Sequence, residues 1–219
     1  MAPRIALFHA TQAAIAPIET AFAELWPEAD CWNLLDEGLS HEIDRSGGLT
    51  EALMARFIGL AEYAAQTGVD AILFTCSAFG PAIEECQRRF DIPALKPNEA
   101  LLEAALEAGP ALGLIATHPP TLPVMTAQLE ALAGEHGRAA DISPRLAEGA
   151  WEALKAGDRE AHDGAVVAAA RDVGDCDAIL LAQFSMAPLA ARVAAEVTAP
   201  VLTSPHAAVR KLLALLGGA

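Results

Sequence analysis

Residues Val69–Ile83 read VDAILFTCSAFGPAI, and residues Cys176–Ala190 read CDAILLAQFSMAPLA. Both carry Asp-Ala-Ile-Leu, then small and polar positions, then a Pro. A shift of 107 residues lays Asp70 on Asp177, Pro81 on Pro188, Pro93 on Pro200, Leu95 on Leu202 and Ala100 on Ala207. The same shift lays RIALFHAT (Arg4–Thr11) over ALGLIATH (Ala111–His118). One constant shift at separated places marks an internal duplication, so the chain reads as two units of roughly 100 residues each.

Working outward, each unit repeats one order of elements. Short apolar runs bounded by turn signals predict strands buried on both faces at Ile5–His9, Ala71–Thr75, Leu112–Thr117 and Ala178–Ala182. IPAL (Ile92–Leu95) and APVL (Ala199–Leu202) predict two more. Between them lie Ala-rich helical segments. In Leu49–Thr67, residues Leu49, Leu53, Phe57, Leu60 and Ala64 recur at helical spacing, and Gly68 stands where a C-cap falls. Further helices are expected over Pro120–Gly134, Arg159–Val173 and Pro188–Val197. Pro81 and Pro188 suit a first helical turn, where the missing N–H costs nothing. Strands alternating with helices predict an α/β fold of two pseudo-symmetric αβα halves with parallel sheets. The expected division is 1–109 plus 205–219 for the first half and 110–204 for the second, with the C-terminal helix returning to the first. Ligands of open α/β sheets bind beyond the carboxyl ends of the strands, so a site is expected in a cleft between the halves.

Composition narrows the partners. Lys and Arg number 14 against 29 Asp and Glu, a net charge of −15. An acidic surface repels phosphate backbones and anionic bilayers, so neither nucleic acid nor a membrane is an expected partner. MAPRIALFHAT lacks a secretory leader's long apolar core, and no stretch suggests a membrane span, so the expected location is cytoplasmic. A homo-oligomer is left open. The cysteines, Cys31, Cys76, Cys86 and Cys176, form no C-x-x-C and have no zinc-finger histidines, so no metal site is expected. No Gly-rich phosphate loop or Ser nucleophile elbow occurs.

The strand ends are His9-Ala10-Thr11, Thr75-Cys76-Ser77, Thr117-His118 and Gln183-Phe184-Ser185. Cys76 precedes Pro81 at a strand-to-helix turn, where a helix N-terminus favours the thiolate and backbone N–H groups can hold a carboxylate. A small residue in a tight turn is the plainer alternative. Cys86 and Cys176 are expected in the core, and Cys31 at one end of a short strand. Thr11, Ser77, Thr117, Thr203 and Ser204 are short hydroxyl residues at turns, where helix capping is the common use. Lys96 is expected to be exposed, His206 to be structural, and Trp26, Trp32 and Trp151 to pack.

These pieces resemble the aspartate/glutamate racemase superfamily, which includes hydantoin racemase, maleate isomerase and arylmalonate decarboxylase. The matching stretches are LFTCSAFG (Leu73–Gly80), LGLIATHPPT (Leu112–Thr121), DAILLAQFSMAPL (Asp177–Leu189) and APVLTSPHAAV (Ala199–Val209). The resemblance implies no cofactor, a small carboxylate substrate, and cysteines at equivalent strand ends acting as acid and base on an acidic carbon. The first family cysteine falls on Cys76. The second falls on Gln183, a departure, because an amide does not titrate near neutral pH. Cys76, Gln183 and Ser185 are therefore the catalytic candidates. Thr11, Ser77, Thr117, His118 and His9 are the substrate-binding candidates, with Ser77 and Thr117 placed where the family binds carboxylate. His9 and His118 titrate near neutrality, so either can stand in for the missing cysteine, or be ordinary. The expected function is a cofactor-independent racemase or isomerase of a small carboxylic acid. The alternatives are a decarboxylase of the same superfamily and a non-catalytic carboxylate-binding protein.

Overall fold

A computed structural model describes residues 2–217. Two four-stranded parallel sheets form, each the centre of its own unit. In the first, β1 (Arg4–His9), β2 (Asp30–Leu35), β3 (Ala71–Phe74) and β4 (Ala94–Leu95) lie in the order β2-β1-β3-β4. In the second, β5 (Ala111–Ala116), β6 (Asp141–Leu146), β7 (Ala178–Leu181) and β8 (Val201–Thr203) lie in the order β6-β5-β7-β8.

The duplication is visible bond by bond. The Asp70 carboxylate accepts the Arg4 N–H at 2.8 Å, and the Asp177 carboxylate accepts the Ala111 N–H at 2.8 Å. The Ile72 N–H donates to the Pro93 carbonyl at 2.8 Å, and the Ile179 N–H to that of Pro200 at 2.9 Å. Both bond pairs obey the shift of 107 residues.

The central strands are apolar on both faces because both faces are covered. In the second unit, Leu112, Leu114, Ala116, Ala178 and Leu180 pack with α5 (Glu99–Ala108) and α6 (Thr121–Glu135). The alternate residues Ile115, Ile179 and Leu181 pack with α8 (Arg159–Arg171). A Cβ on Gly113 would lie 2.6 Å from Val173 Cγ1, so only glycine permits this approach to β5. In the first unit, Phe8, Phe57, Phe74 and Phe79 form a continuous ring cluster with centroids 4.6–5.5 Å apart. Phe57 lies on α3 (Glu51–Gln66), whose start is capped by Thr50 Oγ1 accepting the Leu53 N–H at 3.2 Å. Gly68 follows α3 with φ +76°, the left-handed conformation that a helix stop requires.

α1 (Ile15–Leu25) and α2 (Glu37–Ser46) flank the first sheet's chain. α4 (Gly80–Arg89) carries Pro81 in its opening turn, as expected. Pro188, expected to open a helix, instead lies inside a 3-10 turn, Phe184–Leu189, and α9 is only Ala190–Ala194. Two edge strands carry weaker signals. Of β2 (DCWNLL), the sequence shows only a strand end at Cys31; β6 (DISPRL) contains Pro144, and neither has a continuous apolar run. Pro is tolerated there because an edge leaves one side unpaired.

The first unit runs to Glu99 and resumes at Ala208, and the second is Ala100–Ala207. The expected boundaries, 109/110 and 204/205, differ by about one helix at the first crossing. The reason is that α5 buries Ala100, Leu101, Leu102, Ala105 and Leu106 in the core of β5 and β7. From Ala208 the chain of α10 (Ser204–Leu216) belongs to the first unit, where the Lys211 ammonium pairs with the Glu99 carboxylate. Among the described residues no helix is long and apolar enough to cross a membrane.

Candidate active site

Parallel strands send all their carboxyl ends to the same edge of a sheet. In the first unit, β3 runs out at Phe74, and the chain turns through Thr75 and Cys76 into a 3-10 turn, Ser77–Phe79. Cys76 itself is extended, with φ −124° and ψ 117°. The turn is anchored from below by Phe79, fully buried and stacked on Phe57 at 4.8 Å. Ser77 and Ala78 are exposed, while Cys76 is half-buried. The sequence predicts a thiol pKa lowered by the helix end. The structure reverses that direction: burial raises it, the Ala78 N–H pulls back down, and the Asp44 charge adds to the rise. One backbone donor does not offset the lost hydration of a thiolate. Burial likewise pushes the thiols of Cys31 and Cys86 up to about 12 and raises that of Cys176.

His9, one strand over, was a substrate-binding candidate, and the structure gives it no free nitrogen. It is fully buried, with Nδ1 2.9 Å from Thr75 Oγ1 and Nε2 2.9 Å from Asn33 Oδ1. The Asn33 amide is oriented by its Nδ2–H donating to Glu19 Oε1 at 2.7 Å. Its oxygen therefore faces His9, which places the imidazole hydrogen on Nε2 and lets the Thr75 hydroxyl donate to Nδ1. Burial lowers the His9 pKa, against the opposing pull of Asn33 and the Glu19 charge. The chain Glu19–Asn33–His9–Thr75 thus fixes the residue before Cys76. Thr11, also expected to bind substrate, accepts the Ala13 N–H at 3.4 Å as the cap of the next turn.

The second unit builds the same edge from other residues. Gln183 occupies the position of Cys76 and, like it, is extended before a 3-10 turn, with φ −134° and ψ 143°. Fully buried Met186 anchors that turn where Phe79 anchors the first. Thr117, at the end of β5, donates its N–H to Gln183 Oε1 at 2.7 Å and its hydroxyl at 3.0 Å. Ser185 is half-buried, and its hydroxyl bonds no group among the described residues. His118 is half-buried, its ring 4.8 Å from that of Trp151 on α7 (Ala150–Lys155). His206 Nδ1 lies 2.7 Å from Thr203 Oγ1.

The structure therefore joins Thr117 to Gln183, and His9 to Thr75 rather than to an outside ligand. Asn33, Glu19 and Trp151 were not among the sequence candidates, and only Thr75 was visible as a strand-end residue. Lys96 is half-buried and pairs with Glu84 Oε1 at 2.8 Å. Among the described residues no cluster of three or more His, Cys, Asp or Glu could hold a metal ion. The edge as built offers one thiol, one pinned amide, one half-buried imidazole and several hydroxyl and backbone donors. That set suits proton movement at an acidic carbon beside an oxygen acceptor.

Comparison with solved structures supports the fold. The allantoin racemase from Klebsiella pneumoniae superposes with a TM-score of 0.71 at 20% identity, covering 99% of this chain and 89% of that one. An aspartate racemase homologue from Pyrococcus horikoshii gives 0.73 at 16% identity, covering 97% and 98%. A glutamate racemase isoform from Bacillus anthracis gives 0.69 at 15% identity, covering 99% and 82%. No curated protein matches the sequence. A family model described as Asp/Glu/hydantoin racemase matches residues 11–212. The two αβα halves, the duplicated strand ends and that match over most of the chain lead to one conclusion: the chain belongs to the Asp/Glu/hydantoin racemase family and is an enzyme of the racemase type.

Proposed function

We propose that this enzyme moves a proton on the carbon next to a carbonyl in a small carboxylic or amide substrate, with Cys76 as one of its proton carriers. The observation that carries the reading is the placement of Cys76. It is the one cysteine at a strand-end turn, its sulfur receives the Ala78 N–H, and it lies beside exposed Ser77. The substrate's C–H electron pair passes into the neighbouring C=O, and the proton passes to or from sulfur. Exposed N–H and hydroxyl groups of the turns take the negative oxygen so formed. The reading requires the strand-end groups of both units to serve one substrate. No cofactor enters this scheme.

The test is deuterium uptake at the α-carbon in heavy water, followed by NMR across a panel of carboxylic acids and cyclic amides. Cys76→Ser should lower uptake about 10²- to 10⁴-fold, the usual weight of a positioned acid or base. Undiminished uptake in that variant overturns the thiol mechanism. Binding of the acids without any uptake by the wild type would instead favour a carboxylate-binding protein.

A further inference from the structure

The second unit has no thiol at the position equivalent to Cys76, and the group it has there is held still. Gln183 Oε1 accepts two hydrogen bonds from Thr117, one from its N–H and one from its hydroxyl. Turned over, the amide would set its own NH2 against the Thr117 N–H, donor against donor. The orientation is therefore fixed, and Nε2 bonds nothing among the described residues. Gln183 can donate to an acceptor oxygen and cannot carry a proton.

The unit's titratable groups leave one replacement at this edge. His136 stands at the far end of α6, remote from the carboxyl ends of the strands. His162 is buried in α8, with Nδ1 2.8 Å from Asp163 Oδ1. His206 is tied to Thr203. Ser185, Thr117 and Thr203 carry hydroxyls, which are poor acids and bases unaided. His118 follows Thr117 directly, at the end of the strand beside that of Gln183. It is half-buried, and neither ring nitrogen bonds a group among the described residues. Its ring rests on Trp151, which follows β6 on α7, and the Lys155 ammonium lies 5.8 Å from the same indole.

We propose that His118 is the proton carrier of the second unit, with Gln183 a fixed donor to a substrate oxygen and Trp151 a positioning residue behind the imidazole. The proposal rests on the racemase reading above. In one direction, neutral His118 takes the α-proton, and the C–H electron pair enters the adjoining C=O as an enolate. The Cys76 thiol then returns a proton to that carbon, leaving imidazolium and thiolate. The reverse direction starts from that ion pair and ends at the neutral pair. The two groups hold one proton between them in either direction, so the cycle closes without a co-reactant.

The probes are both enantiomers of allantoin, aspartate and glutamate in heavy water. NMR reads α-deuterium and optical rotation reads interconversion, for wild type, H118N, H118Q and H118N with Q183C. In both single variants interconversion should fall at least about 10²-fold. Deuterium uptake from one enantiomer should persist through Cys76, which also shows that the variant is folded. Adding Q183C should restore interconversion. Undiminished interconversion in both single variants overturns the proposal. So does loss of both readouts in both, with no rescue by Q183C. No uptake from any probe by the wild type overturns the racemase reading itself, and this proposal with it.

Discussion

Where the first unit has Ala10, Thr75 and Cys76, the second has Thr117, Ala182 and Gln183, and where the first has His9 the second has Ala116. The backbone around these positions is the same in both, down to the Asp70 and Asp177 bonds at the opposite ends of the strands. In the first unit, the polar side chains at this edge are spent inward, on the chain from Glu19 to Thr75, leaving the thiol without a side-chain partner among the described residues. In the second, Thr117 is spent on pinning the amide that replaces the thiol. A duplicated scaffold thus tolerates opposite assignments at one position, because its strength lies in apolar strands and turn anchors rather than in the edge residues.

The comparison is broken most sharply by making the units alike. Cys76→Gln places an amide at both positions, and deuterium uptake should drop about 10²- to 10⁴-fold, whereas Gln183→Cys should leave the folded state intact and add a second thiol at the edge. Measured uptake that is equal in the two variants would show that the units do not differ in chemistry. Next in size are the anchors. Phe79→Ala should cost about 3–5 kcal/mol and Met186→Ala about 2–5 kcal/mol in urea unfolding, since both side chains are fully buried beneath the turns. A Phe79 cost below that of Met186 would deny the aromatic cluster its role.

The aspartate pair should split by exposure. Asp177→Ala strands a half-buried Ala111 N–H and should cost about 1–3 kcal/mol, while the Arg4 N–H freed by Asp70→Ala is exposed and should cost less. The smallest effect is a pH dependence confined to the first unit. Burial holds the folded His9 pKa below its ordinary 6.5. Below that pH the unfolded chain binds a proton that the folded chain refuses, so stability is full above about 6.5 and falls as pH drops toward the folded value. The difference in stability between wild type and His9→Asn should shrink over that range, and a constant difference would deny the burial effect.

Much of this was legible in the sequence. The strands that carry the strand-end candidates announce themselves because both of their faces are covered, which demands unbroken apolar runs such as Ile5–Phe8 and Ala178–Leu181. The shift of 107 residues located Gln183 against Cys76 without coordinates. β6 went unseen, and β2 showed only an end at Cys31, because an edge strand needs only half a covering and can take Pro144 or a charged residue. The inward use of His9 was hidden because its partner Asn33 lies 24 residues away on an edge strand with no apolar signature. The direction of the Cys76 pKa was misjudged for a related reason: a helix end is visible in sequence, whereas the degree of burial that outweighs it is not.

The crossing of the chain between units has a consequence for synthesis. The first unit includes the residues from Ala208 onward, and Ala208, Val209 and Leu212 are buried. A ribosome that has finished Glu99 must make all of Ala100–Ala207 before it can supply them. At about 5–20 residues per second, that is a delay of roughly 5–20 s. During this time the N-terminal unit waits with an apolar face uncovered, while the second unit, continuous in the chain, has every segment it needs and can close first.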